Sequence, residues 1–183
     1  MTTIRPAKLT DIRELLSLIN AYASQGIMLP RTEFEMAESI RDFVVATEVV
    51  ANEEDERLVG CGALHFYTAA SGEVRSLAVE PGLKTRGIGR RIMDELEREA
   101  QAHGLYSLFA FTYVPGFFRK MGYVEVDRDE LPLKAWKDCL RCPKFESCDE
   151  IAMLKRLQPG PAPALHPLFV QLGETPQLPI LRK

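Results

Sequence analysis

The chain reads as an α/β domain with a mixed, mostly antiparallel central sheet and flanking helices, and three features of the sequence predict it. Helical spacing of apolar residues opens the chain. Three strand-like runs then follow between residues 43 and 79 with short connections, and a turn carrying Gly87 and Gly89 leads into another helical pattern. At 183 residues, 46% apolar and 27% charged, the composition is that of one ordinary globular domain, which excludes a mostly disordered polypeptide.

Taken in order, residues 4–6 form a short strand. Ile12, Leu15, Leu16 and Ile19 then obey the i, i+3, i+4, i+7 rule, giving a helix to about Ala23 with Thr10 as its N-cap. Thr32 and Glu35 make a capping box for a second helix that turns Phe34, Ala37 and Ile40 inward and ends near Arg41. Strands are expected at 43–50, 58–66 and 73–79, an antiparallel meander by virtue of the short turns between them. From 89 to 103 the pattern is helical again, with Ile88, Ile92, Leu96 and Ala100 on one face and Arg91 paired with Glu95 on the wet one.

A strand at 106–112, a short helix at 117–120, a strand at 123–126, a cysteine-bearing excursion and a last strand at 150–157 complete the order β-α-α-β-β-β-α-β-α-β-β. The expected domain spans residues 1–157. Residues 158–183 hold six of the twelve prolines and form a tail that cannot be one regular element; Leu168, Phe169 and Val170 would be its means of lying across the body.

A formal charge of −3 gives no global bias toward nucleic acid or an anionic membrane, so any positive patch must be local. Arg5, Lys8, Asp11 and Arg13 interrupt the apolar run a secretory leader would need, and no segment approaches the ~20 apolar residues of a membrane span. A cytoplasmic protein is expected, with its four cysteines reduced or metal-bound rather than paired.

The local patch is Lys84-Thr85-Arg86-Gly87-Ile88-Gly89-Arg90-Arg91. Arg90 and Arg91 fall in the first turn of a helix, where the positive end of the dipole disfavours each cation by about 0.3–1 kcal/mol. A bound anion reverses that sign, and glycines before a helix let backbone amides converge on one. A diphosphate suits four surrounding cations. The loop is not a Walker motif, since no Gly-x-x-x-x-Gly-Lys-Ser/Thr string occurs, and it is not a dinucleotide fingerprint, since Ile92 stands where a third glycine belongs and no acidic residue lies near Ser107.

The pattern Lys84-x-x-Gly87-x-Gly89 resembles the pyrophosphate loop of the GNAT N-acetyltransferases, Gln/Arg-x-x-Gly-x-Gly/Ala, with lysine in the first place. Joined to the element order, it extends the resemblance over roughly residues 3–157. The stretches at 73–79, at 109–113 and around Asp138-Cys139-Leu140-Arg141-Cys142-Pro143 are similar to the acetyltransferase domain of the short bacterial N-acetylglutamate synthases. This resemblance implies the GNAT fold, with a splayed pair of strands, and acetyl-CoA as co-substrate. It implies contacts from Leu77, Ala78 and Val79 and from Lys84, Thr85, Arg86, Gly87, Ile88, Gly89 and Arg90. The amide of Val79, or of its neighbour Ala78, would face the thioester oxygen. Many relatives carry a tyrosine acid where this chain has Phe118, leaving Phe118 as a cofactor contact and Tyr113 as the alternative acid.

An ammonium acceptor must lose a proton, and Glu73 and Glu80 are both candidates for a carboxylate base. Arg75, alternating with Leu77 and Val79, reads either as a clamp for an acceptor carboxylate, with Thr112, Lys134 and Lys144 as helpers, or as the partner of one of those glutamates. The resemblance implies an amino-acid acceptor, L-glutamate foremost, in the first step toward arginine. Another small amine, a protein N-terminus, or a catalytically inactive CoA-binding sensor are the other readings. Partners are then small molecules, without nucleic acid or membrane, and self-association into a homodimer is left open.

Cys139, Cys142 and Cys148 have the Cys-x2-Cys spacing of a zinc knuckle but only three thiolates; ordinary reduced thiols in a substrate-side loop are the favoured reading over zinc. Cys61 reads as a small buried residue, and His65, His103 and His166 as isolated. Trp136 reads first as core and second as a cover for the acceptor pocket.

Overall fold

The computed structural model describes residues 1–49, 56–128, 131, 142, 144 and 147–160. Its elements are β1 (Thr2–Pro6), α1 (Ile12–Ala23), α2 (Glu33–Ser39), β2 (Phe43–Val49), β3 (Glu56–Phe66), β4 (Ser71–Val79), α3 (Ile88–Ala102), β5 (Ser107–Thr112), α4 (Pro115–Lys120), β6 (Val124–Glu125) and β7 (Ile151–Arg156), with 3₁₀ turns before α1, after α2 and before α3. The expected order of elements is present throughout. The strands form one sheet in the order β1-β2-β3-β4-β5-β7-β6, antiparallel at every junction but one.

The two faces of the sheet are covered separately. Ile88, Ile92, Leu96 and Ala100, all at most 1% exposed, press α3 onto Val44, Val59, Leu64, Val74 and Val79. On the opposite face Leu15, Ile19 and Tyr22 of α1 and Met36 of α2 close over Val45, Cys61, Ala63 and Ala78. Helix α3 lies unusually close to β3 because Gly62 presents no side chain: a Cβ there would stand 2.7 Å from Ile92 Cγ2. Among the described residues, no helix is long and apolar enough to cross a membrane.

Three local expectations are corrected. Thr10 is not the cap of α1; it sits inside a 3₁₀ turn capped at Lys8, and the side chain of Asp11 accepts the Lys8 N–H at 2.7 Å. The capping box at Thr32 and Glu35 is formed in both directions, but the helix it starts buries Met36 and Ile40, leaving Phe34 70% exposed and Ala37 on the surface. Arg91 does not pair with Glu95. It donates to the carbonyl of Thr2 at 2.8 Å, tying α3 to β1, while Glu95 takes Arg98.

Asp11 also accepts two bonds from Arg5, at 2.8 and 3.0 Å, and this holds its carboxyl below the ordinary range against the opposing effect of burial. A carboxyl depressed in the folded state contributes stability that is complete above its unfolded pKa of about 3.9 and disappears as pH falls through the folded value. Asp11→Asn should therefore lower stability at pH 7 by about 1–3 kcal/mol, the usual worth of bonds to a charged group. The difference from wild type, followed by urea unfolding, should shrink below pH 4; a gap of the same size at pH 3 and pH 7 would contradict the assignment.

Candidate active site

Strand β5 runs parallel to β4 over only three residues, Ser71–Glu73 against Ser107–Phe109. Above that level β4 continues to Val79 and β5 to Thr112 without pairing to each other, while β5 stays paired with β7 on its other edge. The opening between them leads into a cavity of about 750 Å³, within the range of small-molecule sites. One end is walled by the turn before α3, the other by the α1–α2 connection and the residues just before β7.

A bulge in β4 sets which groups face this opening. Cys61 pairs with Ala78 but Ala63 with Arg75, so β4 carries one residue more than β3 there, and Ser76 takes the left-handed conformation, φ +53°. The extra residue reverses the alternation. Leu77 and Val79 pack with Val74 on the α3 side, whereas Arg75 lies on the face of Ala63 and Ala78. The expectation that Arg75, Leu77 and Val79 share a face is thus overturned by the bulge.

The same geometry separates the two amides. Glu80 N–H bonds to Val59 O at 2.9 Å, which makes the adjacent Gly60–Val79 pair a non-hydrogen-bonded one, so the N–H and C=O of Val79 point away from β3. Tyr22 donates its hydroxyl to that C=O at 2.5 Å. The Val79 N–H thereby faces the opening, and Ala78, its own backbone turned to β3, does not.

At the cradle end, Gly87 caps α3 with φ +75°, a conformation that favours glycine. The first intrahelical bond is Arg91 N–H to Gly87 O, 3.1 Å, so the amides of Ile88, Gly89 and Arg90 precede it and converge at the positive end of the helix. Gly89 faces the cavity, and a Cβ there would lie 3.6 Å from both Phe117 and Val79. Of the four loop cations only Lys84 and Arg90 line the cavity. Lys84 Nζ sits over the Tyr22 ring, 4.9 Å from its centroid; Arg86 is taken by Glu48 at 2.9 Å and Arg91 by Thr2. Thr85 is exposed on the turn, and the Ile88 side chain is core. Phe118 is buried, stacked edge-on to Phe117 and Tyr123, and reaches the cavity wall.

The other end of the cavity gathers charge. Glu73, Arg75, Thr112, Tyr113 and Lys144 line it as expected from the sequence, joined by Arg31, Arg128 and Glu150, which sequence reasoning did not single out. Arg31 is presented by the α1–α2 connection, whose backbone the Asn20 side chain holds from both directions at 2.9 and 3.0 Å. Arg75 approaches Asp42 at 3.5 Å, and Asp42 also contacts His65 Nδ1 at 2.6 Å. Of the two candidate bases, Glu80 is bound by Arg57 through both oxygens, at 3.0 and 2.6 Å, outside the cavity; Glu73 is buried at its floor.

Tyr113 donates to Asp149 at 2.9 Å and accepts from Lys144 at 3.1 Å. Burial, with help from Asp149 and against the pull of Lys144, raises its phenol above the ordinary value, so the proton stays on at neutral pH. Burial likewise raises the Glu150 carboxyl, with Arg128 acting in the opposite direction. Cys61 is sealed in the core and its thiol is pushed up to about 12. Among the described residues, no three His, Cys, Asp or Glu side chains converge closely enough to hold a metal. Cys148 Sγ accepts from the Arg128 guanidinium at 3.1 Å. Lys134, Trp136, Cys139 and His166, and the tail beyond Gly160, lie outside the described residues.

Comparison with known proteins places these features in a family. Residues 12–123 match the model of the acetyltransferase (GNAT) family. An uncharacterized N-acetyltransferase of Chlorobaculum tepidum is 40% identical over 156 residues, covering 85% of this chain and 97% of its own. An amino-acid acetyltransferase of Mycobacterium tuberculosis is 29% identical over 138 residues, 75% of this chain and 77% of its own. Among solved structures, N-acetylglutamate synthase from Neisseria gonorrhoeae, complexed with coenzyme A and N-acetyl-glutamate, superposes with a TM-score of 0.75 at 29% identity; the match covers 87% of this chain and 36% of that longer one.

Proposed function

This chain belongs to the GNAT acetyltransferase family, and from that premise we propose that it transfers the acetyl group of acetyl-CoA to the α-amino group of an acidic amino acid, L-glutamate first. The observation that carries the reading is one cavity with two chemically distinct ends: a diphosphate cradle at the start of α3 and, across the β4–β5 opening, an end lined by Arg31, Arg75, Arg128 and Lys144. Four cations around an amine-sized site suit a ligand with two carboxylates. The amino-acid acetyltransferase and synthase names of the relatives point the same way.

The chain's own groups divide the work. The Ile88, Gly89 and Arg90 amides, with Lys84 and Arg90 side chains, hold the diphosphate. Leu77 and Val79 flank the pantetheine arm. The Val79 N–H, fixed by the bulge and by Tyr22 on its carbonyl, stabilises the negative charge that develops on the thioester oxygen, a donor of the kind whose loss costs about 3–4 kcal/mol. Tyr113 gives a proton to the departing sulfur after exchanging Asp149 for it; because a thiol pKa lies near 8.5, that help is modest. Arg31 and Arg75 grip the acceptor carboxylates, and Thr112 lines the same wall.

Incubation with acetyl-CoA and a panel of amines, with free thiol followed spectroscopically, tests the proposal. Turnover with glutamate, and at least tenfold lower kcat/KM with glutamine, is expected. Turnover confined to neutral amines or peptide N-termini would overturn the acidic acceptor, and coenzyme binding without any turnover would favour a sensor.

A further inference from the structure

The carbonyl of Val79 faces the opening between β4 and β5, where the sheet supplies no strand partner, and its donor comes from another layer of the fold. Tyr22 is the last member of the buried α1 stripe Ile12, Leu15, Ile19 and Tyr22, on the face of the sheet opposite α3, and is 6% exposed. Its hydroxyl reaches Val79 O at 2.5 Å. The next amide, Glu80 N–H, is held by Val59 O at 2.9 Å, so the peptide linking Val79 to Glu80 is clamped at its oxygen and at its hydrogen. Beyond it runs the 3₁₀ turn Pro81–Arg86, which leads into α3, and from this turn Lys84 lays its Nζ over the same Tyr22 ring, 4.9 Å from the centroid. The tyrosine itself is anchored: its backbone carbonyl accepts the N–H of Gln25 at 3.1 Å and of Ile27 at 3.2 Å where α1 ends.

Resting on the acetyltransferase reading above, we propose that Tyr22 is a positioning residue for acetyl transfer, its phenol gripping the β4–α3 connection at two points, so that the Val79 amide stays aimed at the thioester oxygen and the Lys84 ammonium at the diphosphate. Tyr22, Val79 and Lys84 all line the cavity. Val79 carries both the carbonyl that Tyr22 holds and the N–H assigned to the oxyanion, and without β5 alongside no sheet bond fixes that N–H. A donor held in place beforehand needs no reorganisation as charge develops. Deprived of the phenol, the Val79 carbonyl would turn toward another donor and carry the N–H of the same residue off line. The two contacts use different parts of the side chain, the hydroxyl for the strand and the ring face for the lysine, so they can be removed separately.

Tyr22→Phe keeps the ring and drops the hydroxyl. It should lower kcat about 10–100-fold, while KM for acetyl-CoA and Kd for coenzyme A change less than twofold and Tm by a few degrees at most. Tyr22→Leu, which loses the ring face as well, should bind coenzyme A about 2–5-fold more weakly than Tyr22→Phe, and Lys84→Ala should cost less affinity in that background than in wild type. A Tyr22→Phe enzyme with kcat within twofold of wild type, or one whose kcat and coenzyme affinity fall together, overturns the assignment. Equal Lys84→Ala effects in the two backgrounds overturn its lysine half; should Tyr22→Leu fail to fold, Tyr22→Phe alone decides. If wild type acetylates no amine, the acceptor proposal falls, but the Tyr22 assignment is still read by nitrogen-15 NMR in the absence of acceptor. Replacing coenzyme A by acetyl-CoA should move the Val79 amide signal in wild type and move it less than half as far in Tyr22→Phe; equal movement in the two proteins, or none in wild type, rejects the positioning role.

Discussion

Gly87→Val should weaken coenzyme A binding by about 100-fold or more, because it disorganises three amides at once. Gly87 sits at φ +75°, where a residue with a side chain is disfavoured by about 1–2 kcal/mol and a β-branched one by more. Nothing lies within 4 Å of a Cβ placed there, so the added Cβ meets no obstacle and the strain falls on the backbone. Relaxing φ to a negative value rotates the peptide that leads into Ile88 and spoils the convergence of the Ile88, Gly89 and Arg90 N–H groups. Bonds from such donors to a charged group are worth about 1.5–3 kcal/mol each, so losing two gives two to four decades in Kd. Calorimetry with coenzyme A reads the loss directly, and a Tm within a few degrees of wild type shows that the fold survives. Gly89→Ala is the companion: its methyl group would stand clear of Phe117 and Val79 but inside the cradle, and a loss of about tenfold is expected. A Gly87→Val protein that binds coenzyme A within threefold of wild type would remove the diphosphate cradle, and with it the enzymatic reading.

Much of this was legible because it is local. The α3 stripe Ile88, Ile92, Leu96 and Ala100 is buried as its spacing demands, and the Thr32–Glu35 box closes as written. The glycine loop falls at the start of α3, as its place in the sequence predicts, with Gly87 in the left-handed conformation. Other features depend on partners distant in the chain. Glu80 and Glu73 look alike in sequence; the difference is Arg57, 23 residues before Glu80, which binds its carboxylate outside the cavity. The face of Arg75 is inverted by a bulge that arises from pairing with β3, and no residue in 73–79 signals it, Ser76 least of all at a positive φ. Arg86 and Arg91 stand in sequence among the four cations of the loop, yet Glu48 and the Thr2 carbonyl claim them through the packing of α3 against β1 and β2. Glu150 reaches the cavity because β7 runs back antiparallel along β5, and Arg31 because the α1–α2 connection held by Asn20 borders the same cavity, arrangements with no fixed sequence offset. Local rules therefore set the start of α3, where the diphosphate is proposed to bind, and sheet topology sets the opposite end of the cavity.

The acceptor half makes the second large prediction. If two carboxylates are recognised, one cation cannot do it, and the two arginines should act on different readouts from the coenzyme loop. Arg31→Ala and Arg75→Ala should each raise KM for glutamate about 10–100-fold, the equivalent of about one charge-assisted bond, with KM for acetyl-CoA changed less than twofold. The two are not equivalent. Arg75 is 14% exposed and approaches Asp42, so its removal also strips that guanidinium from the Asp42 carboxylate, and a loss of stability of about 1–2 kcal/mol should accompany the kinetic effect. Arg31 is carried by a connection whose backbone Asn20 holds, and its truncation should cost affinity with little change in Tm. The decisive comparison is between acceptors. Whichever arginine meets the side-chain carboxylate, its removal should shrink the preference for glutamate over glutamine, since discrimination rests on a group that only glutamate can pair. A variant that lowers kcat on both acceptors equally, and leaves their ratio intact, would place its arginine in the chemistry or the scaffold and not in recognition.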